Sequence, residues 1–164
     1  MFFKIISHLK FLLKSSNQHG VHSPFVFDFV TKSLYKNNQE IINFDNYLQL
    51  EYLSKKKIKI LSKIVSHFQL TEICFNFSEF KNIKRNNYKL LYIKNIKELQ
   101  QSKFTNLTSK DIIIVDGIYN TKKSEEVWQE IIKNKEVQIT INLFYFGLIF
   151  FRKEQAKEHF RIRV

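Results

Sequence analysis

The sequence predicts an α/β fold in which a reduced, mainly parallel sheet ends in a C-terminal antiparallel strand pair and is preceded by N-terminal helices. Three observations predict it. Residues 72–77, 89–93 and 111–116 are short, nearly continuous apolar runs, the last reading Asp-Ile-Ile-Ile-Val-Asp, as strands covered on both faces require. Segments of helical spacing separate and follow them, the alternation of βαβ units. Finally, Val137, Ile139 and Ile141 alternate with polar residues and lead past Gly147 into residues 148–151, which reads as two terminal strands side by side.

The elements follow in order. Phe2, Ile5, Ile6, Leu9, Leu12 and Leu13 recur at helical steps, with Lys4, Lys10 and Lys14 largely opposite, predicting a helix over residues 2–15. After a loop, Ser23 offers a capping hydroxyl and Pro24 a preset φ at the first helical position, so a second helix runs over 24–35. Residues 36–43 form a polar loop and mark the boundary between an N-terminal helical extension, 1–40, and an α/β domain, 41–164. Tyr47, Leu50, Leu53, Ile58, Leu61, Ile64, Val65 and Phe68 then predict one long helix, or two broken near residues 55–57. Ile96, Leu99 and Phe104 suggest a short helix, residues 121–133 a longer one around Val127, Trp128, Ile131 and Ile132, and residues 81–87 a basic loop.

Composition sets limits on function. The chain has 164 residues, 44% hydrophobic, enough for one buried core. Its 27 Lys and Arg against 15 Asp and Glu give a formal charge of +12, which favours an acidic partner such as nucleic acid or an anionic membrane. Lys far outnumbers Arg, however, and Ile, Asn and Phe are abundant, the signature of an AT-rich coding bias rather than of a binding site. With Cys74 alone, no intramolecular disulfide can form, and a reducing cytoplasm is the expected location. Residues 1–13 lack the small-residue cleavage site of a signal peptide, and no stretch reaches the ~18 apolar residues of a spanning helix. The basic amphipathic start could instead lie on an anionic membrane surface through Phe2, Phe3 and Ile6, or dock on its own domain.

Longer strings carry a resemblance. His19-Gly20-Val21-His22-Ser23-Pro24-Phe25-Val26-Phe27 resembles the N-terminal signature of a family of bacterial class I S-adenosylmethionine-dependent methyltransferase-like proteins. The tail is similar to that family too, in Asp116-Gly117-Ile118-Tyr119, in Glu126-Val127-Trp128-Gln129-Glu130-Ile131 and in the run from Leu143 to Gln155. Together the strings cover roughly residues 2–35 and 111–164. The resemblance implies a Rossmann-like class I methyltransferase sheet and, in the family, S-adenosylmethionine as cofactor.

The middle departs from that pattern. In the family the first strand ends in an acidic residue followed by a glycine-rich loop, because the backbone must approach the cofactor closely. Here Asn76, Phe77 and Ser78 stand at that place, and no glycine occurs between Gly20 and Gly117. The interval from Phe77 to Asp111 is also too short for the strands and helices of a complete domain, so the segment with the ribose-binding carboxylate is inferred to be deleted. Lys94 and Asn95 replace the family's usual Asp-Gly at the end of its fourth strand. A truncated, degenerate member that does not bind the cofactor well is the resulting expectation.

Asp116, ending a strand where open α/β sheets present ligand-contacting groups, is the surviving catalytic candidate, together with Tyr119. The competing reading, a structural Asp closing a turn, is favoured by the missing loop. His19 and His22 lack companions to complete a metal shell, so no metal is expected. Cys74 reads as a small buried apolar group, and His8, His67 and His159 as surface or boundary residues. Lys55, Lys56, Lys57, Lys59 and Lys63, with Lys81, Lys84 and Arg85, are the strongest basic groups, and Tyr88 and Phe80 lie near enough in sequence for base stacking. Four functions remain open: residual methyl transfer, a noncatalytic module pairing with a second copy or an intact paralogue, nucleic-acid binding, and a decayed gene product.

Overall fold

Ile112, Ile113, Ile114 and Val115 are all completely buried, so the strand that holds them must be covered on both faces. The computed structural model, which describes residues 2–37, 39–83, 87–100 and 104–164, supplies that cover. The helices are α1 (Phe2–Lys14), α2 (Pro24–Phe29), α3 (Lys55–His67), α4 (Phe77–Asn82) and α5 (Lys122–Lys133). The strands are β1 (Ile73–Cys74), β2 (Lys89–Ile93), β3 (Asp111–Asp116), β4 (Ile139–Asn142), β5 (Phe146–Phe150) and β6 (Glu158–Arg161).

They form one sheet in the order β1-β2-β3-β5-β4-β6. Strand β5 pairs antiparallel with both β3 and β4, whereas β1, β2 and β3 are mutually parallel and β6 is parallel to β4. One strand therefore runs against five. On one face, Val26 and Phe29 of α2 and Leu61 and Ile64 of α3 pack with Leu90, Ile112, Ile114, Ile141 and Phe146. On the other, Val127, Trp128 and Ile131 of α5, Phe80 of α4 and Phe11 of α1 pack with Leu91, Ile113, Val115 and Ile149. The alternation of strand side chains between faces thus divides the core into two layers.

The helix starts are set locally. The Ser23 hydroxyl accepts from the Val26 N–H at 3.5 Å, Ser54 Oγ from Lys57 N–H and Thr121 Oγ1 from Ser124 N–H at 3.0 Å, each supplying an acceptor to an orphan donor. Helix α2 does not end at Phe29 but loosens into a π-helical turn, Val30–Leu34, closed by Tyr35 N–H donating to the Val30 carbonyl. The Ser33 hydroxyl there donates to the Lys63 carbonyl at 2.8 Å, tying α2 to α3. After α1 the chain joins the sheet, because Ser16 N–H donates to the Arg161 carbonyl at 2.8 Å in a parallel bridge beside β6. Among the described residues no helix is long and apolar enough to cross a membrane.

Several expectations need correction. The strand expected over 72–77 is only Ile73–Cys74, because the Asn76 side chain accepts from Glu79 N–H at 2.8 Å and starts α4. That helix takes up the beginning of the basic loop expected at 81–87; Lys84 and Arg85 lie outside the described residues. Of the two readings offered for residues 47–68, the broken one holds: α3 starts at Lys55, and the part before the break is a single 3-10 turn, Leu48–Leu50, rather than a full helix. The short helix after β2 is likewise a 3-10 turn, Ile96–Leu99, and Phe104 is buried beyond it. The antiparallel terminal pair is present as β4 and β5. Strand β6 was not expected at all, its sequence Glu-His-Phe-Arg being mostly polar.

Candidate functional site

Asp116 closes β3, and its side chain falls on the same face as Ile112 and Ile114. It is 3% exposed, and three donors converge on it, from α3, from β2 and from the segment before α3. Lys57, in the first turn of α3, forms an ion pair with Oδ1 at 2.5 Å. The Tyr52 and Tyr92 hydroxyls lie 2.8 Å and 3.0 Å from Oδ2 and 2.9 Å from each other. Tyr92 belongs to β2, one strand over, and Tyr52 to the segment that crosses the strand ends before α3. Burial raises both phenols above their ordinary range, and the neighbouring carboxylate adds to the effect. They therefore remain protonated donors. A carboxylate offers about four acceptor positions, and an ammonium and two hydroxyls already surround this one.

Aromatic side chains close the space above. Just past β1, the Phe75 ring stands 6.0 Å from Tyr92 and 5.8 Å from Tyr47. Lys94 lies 4.1 Å from the centre of the Tyr52 ring, within cation–π range. At the sequence positions where the resembled family carries its cofactor loop, Asn76 caps α4, Ser78 is exposed and Phe77 packs against the core. Phe80, considered from sequence for base stacking, is completely buried beneath Lys89. A cleft of about 450 Å³ remains beside Asp116, between Lys94 and Asn95 at the end of β2 and Thr121 at the start of α5. Its turn requires Gly117, whose φ of +69° is left-handed and where a Cβ would meet the Asn120 amide at 2.1 Å.

Tyr119 is not part of this constellation. Its ring lies on the opposite face of the sheet, stacked on Phe144 at 5.1 Å, and its hydroxyl accepts from Asn142 Nδ2 at 2.7 Å. Burial raises its pKa as well. The structure thus separates Asp116 from Tyr119 and brings Asp116 together with Lys57, Tyr52 and Tyr92. Neither tyrosine was a candidate from sequence, and Lys57 was one only as part of the basic run considered for nucleic acid. Lys57 carried a signal nonetheless, since it shares a helical stripe with the buried Leu61, Ile64 and Phe68.

The remaining candidates are dispersed. His19 and His22 are exposed, and among the described residues no group of three or more His, Cys, Asp or Glu could hold a metal ion. Cys74 is buried. His67 packs at 5.0 Å from Phe29, and His159 Nδ1 is 2.9 Å from the Thr140 hydroxyl. Lys55, Lys56, Lys59 and Lys63 line a cleft of about 600 Å³ with Arg163, whereas Lys57 turns inward to Asp116. Tyr88 is on another surface, where its hydroxyl accepts from Arg152 at 3.2 Å. Compared with protein-family models, with curated proteins and with solved structures, the chain finds no match.

Proposed function

We propose that this chain is a class I methyltransferase-like domain whose cofactor crevice is filled by its own side chains, and that it acts as a noncatalytic module. The observation that carries this reading is the occupation of Asp116: Lys57, Tyr52 and Tyr92 surround its carboxylate. A general base must be within reach of the proton it removes, and here a protonated tyrosine and a lysine stand in the way. The ancestry is supported by the single antiparallel strand, β5, seated between β3 and β4 in an otherwise parallel sheet, together with the two resembling strings. A noncatalytic role is supported by the absence of glycine from the turn after β1 and by the aromatic cover of Phe75, Tyr47 and Tyr52. The partner in this reading is a second copy or an intact relative.

Calorimetric titration with S-adenosylmethionine and with S-adenosylhomocysteine tests the reading. A preparation that is folded by circular dichroism should release no heat with either. Micromolar binding, or methyl transfer lost on Asp116→Ala, would overturn it. The cleft around Lys59 and Lys63 favours a second reading, nucleic-acid binding, for which a single-stranded oligonucleotide in the same titration should show affinity falling steeply with salt.

A further inference from the structure

Helix α1 buries the wrong side for an ordinary amphipathic helix. Its contacts with the domain are made by Ser7 and Phe11, both buried, by the partly buried Leu12, and by His8, whose ring lies 4.4 Å from Phe144. Phe11 approaches Phe144 at 5.5 Å. The strongly apolar positions point elsewhere: Phe2 is 83% exposed, Ile5 52%, Ile6 47%, Leu9 57% and Leu13 87%. Nine large hydrophobic residues are exposed among those described, and five are these, so the exposure is concentrated rather than scattered. With 3.6 residues per turn the five fall within an arc of about 100°, a continuous stripe along the helix.

We propose that this stripe is a membrane-contact surface, laying α1 in the interface of an anionic phospholipid bilayer. Charge favours that occupant. Lys4, Lys10 and Lys14 are exposed on the same helix, α1 has no acidic residue, and the chain carries a formal +12. Lys10 flanks the stripe and can reach anionic headgroups while the stripe enters the acyl boundary, and Lys4 and Lys14, on the far side, add a longer-range attraction. A second copy fits less well. It would oppose lysines to lysines between two strongly cationic chains. The stripe also offers only on the order of 500 Å² per copy, below the ~800 Å² per partner of a stable interface. The inference does not depend on the state of the cofactor crevice, since α1 meets the domain through Phe11 against Phe144 and Tyr119 rather than at Asp116.

Flotation of the 164-residue chain with vesicles of phosphatidylcholine alone, or with about 30 mol% phosphatidylserine, tests it. Binding is expected to the anionic vesicles and to fall with added salt. Ile6→Asp with Leu9→Asp, substitutions at exposed positions, should leave the circular dichroism spectrum unchanged and lower partitioning at least about tenfold. Failure of the wild-type chain to float with anionic vesicles would overturn the proposal, as would undiminished flotation of the double variant. So would a lipid-free dimer, seen by sedimentation, that the double variant dissolves; the stripe would then be a self-association surface.

Discussion

Asp116 shows how a residue at a ligand-presenting position can be committed to structure. Its carboxylate neutralises Lys57, whose side chain is only 19% exposed, so Asp116→Asn would leave an ammonium largely desolvated and two phenols facing a weaker acceptor. The expected loss is about 2–4 kcal/mol in urea unfolding. An unchanged midpoint would mean that the network does not stabilise the fold. The position of Asp116 was legible in the sequence, because an Asp ending an apolar β-run can only sit at a strand terminus. Its partners were not, since Tyr52 and Lys57 lie about sixty residues away along the chain and meet it only once α3 is laid across the sheet. Lys57 sat within a basic run, and the charge of its neighbours concealed its place on the buried stripe.

Among the elements, β5 depends most on one small residue. Gly147 stands where a Cβ would come within 2.6 Å of the Trp128 ring, and both partner strands hold the backbone in register. Gly147→Ala should cost about 1–3 kcal/mol by overpacking. Chemical denaturation of the single variant, and of the double variant with Trp128→Phe, checks the cause, since the smaller ring should restore part of the loss. Elements fixed by local signals were legible: the helix after Pro24, the runs that became β2 and β3, and the helix capped by Thr121. Those decided by competition were not. Asn76 turned an expected strand into a helix start, and polar β6 gains its place by pairing with β4. The alternation of Phe160 and Ile162 with Arg161 and Arg163 was its faint signal.

For the whole molecule, acid should be destabilising. Burial lowers the pKa of His67, opposed by Asp28, and burial with Lys157 nearby lowers that of His159. A folded-state pKa below the unfolded 6.5 makes protonation favour unfolding. The associated stability is complete above that value and is lost as the pH falls through it towards the folded-state value. Protonated histidines also add to a charge already at +12. Thermal unfolding should occur at lower temperature at about pH 5.5 than at about pH 7.5, and His67→Gln should flatten the difference. An equal pH dependence in the variant would remove His67 as the cause. The α/β class and the two covered faces were visible in the sequence at this scale; the seating of β5 between β3 and β4 was not, since hydrophobic pattern carries no neighbour order. That seating has a consequence for synthesis on the ribosome. The left half of the sheet, β1 to β3, and the right half, β4 with β6, share no direct seam, and the strand that joins them emerges after β4. Until residues 146–150 leave the exit tunnel, β3 has an apolar flank with no neighbour. The bridge from Ser16 must wait still longer, for residues 161–163. Final closure therefore waits for residues 146–163, and until they emerge the nascent chain carries an open β-edge that chaperones would be expected to shield.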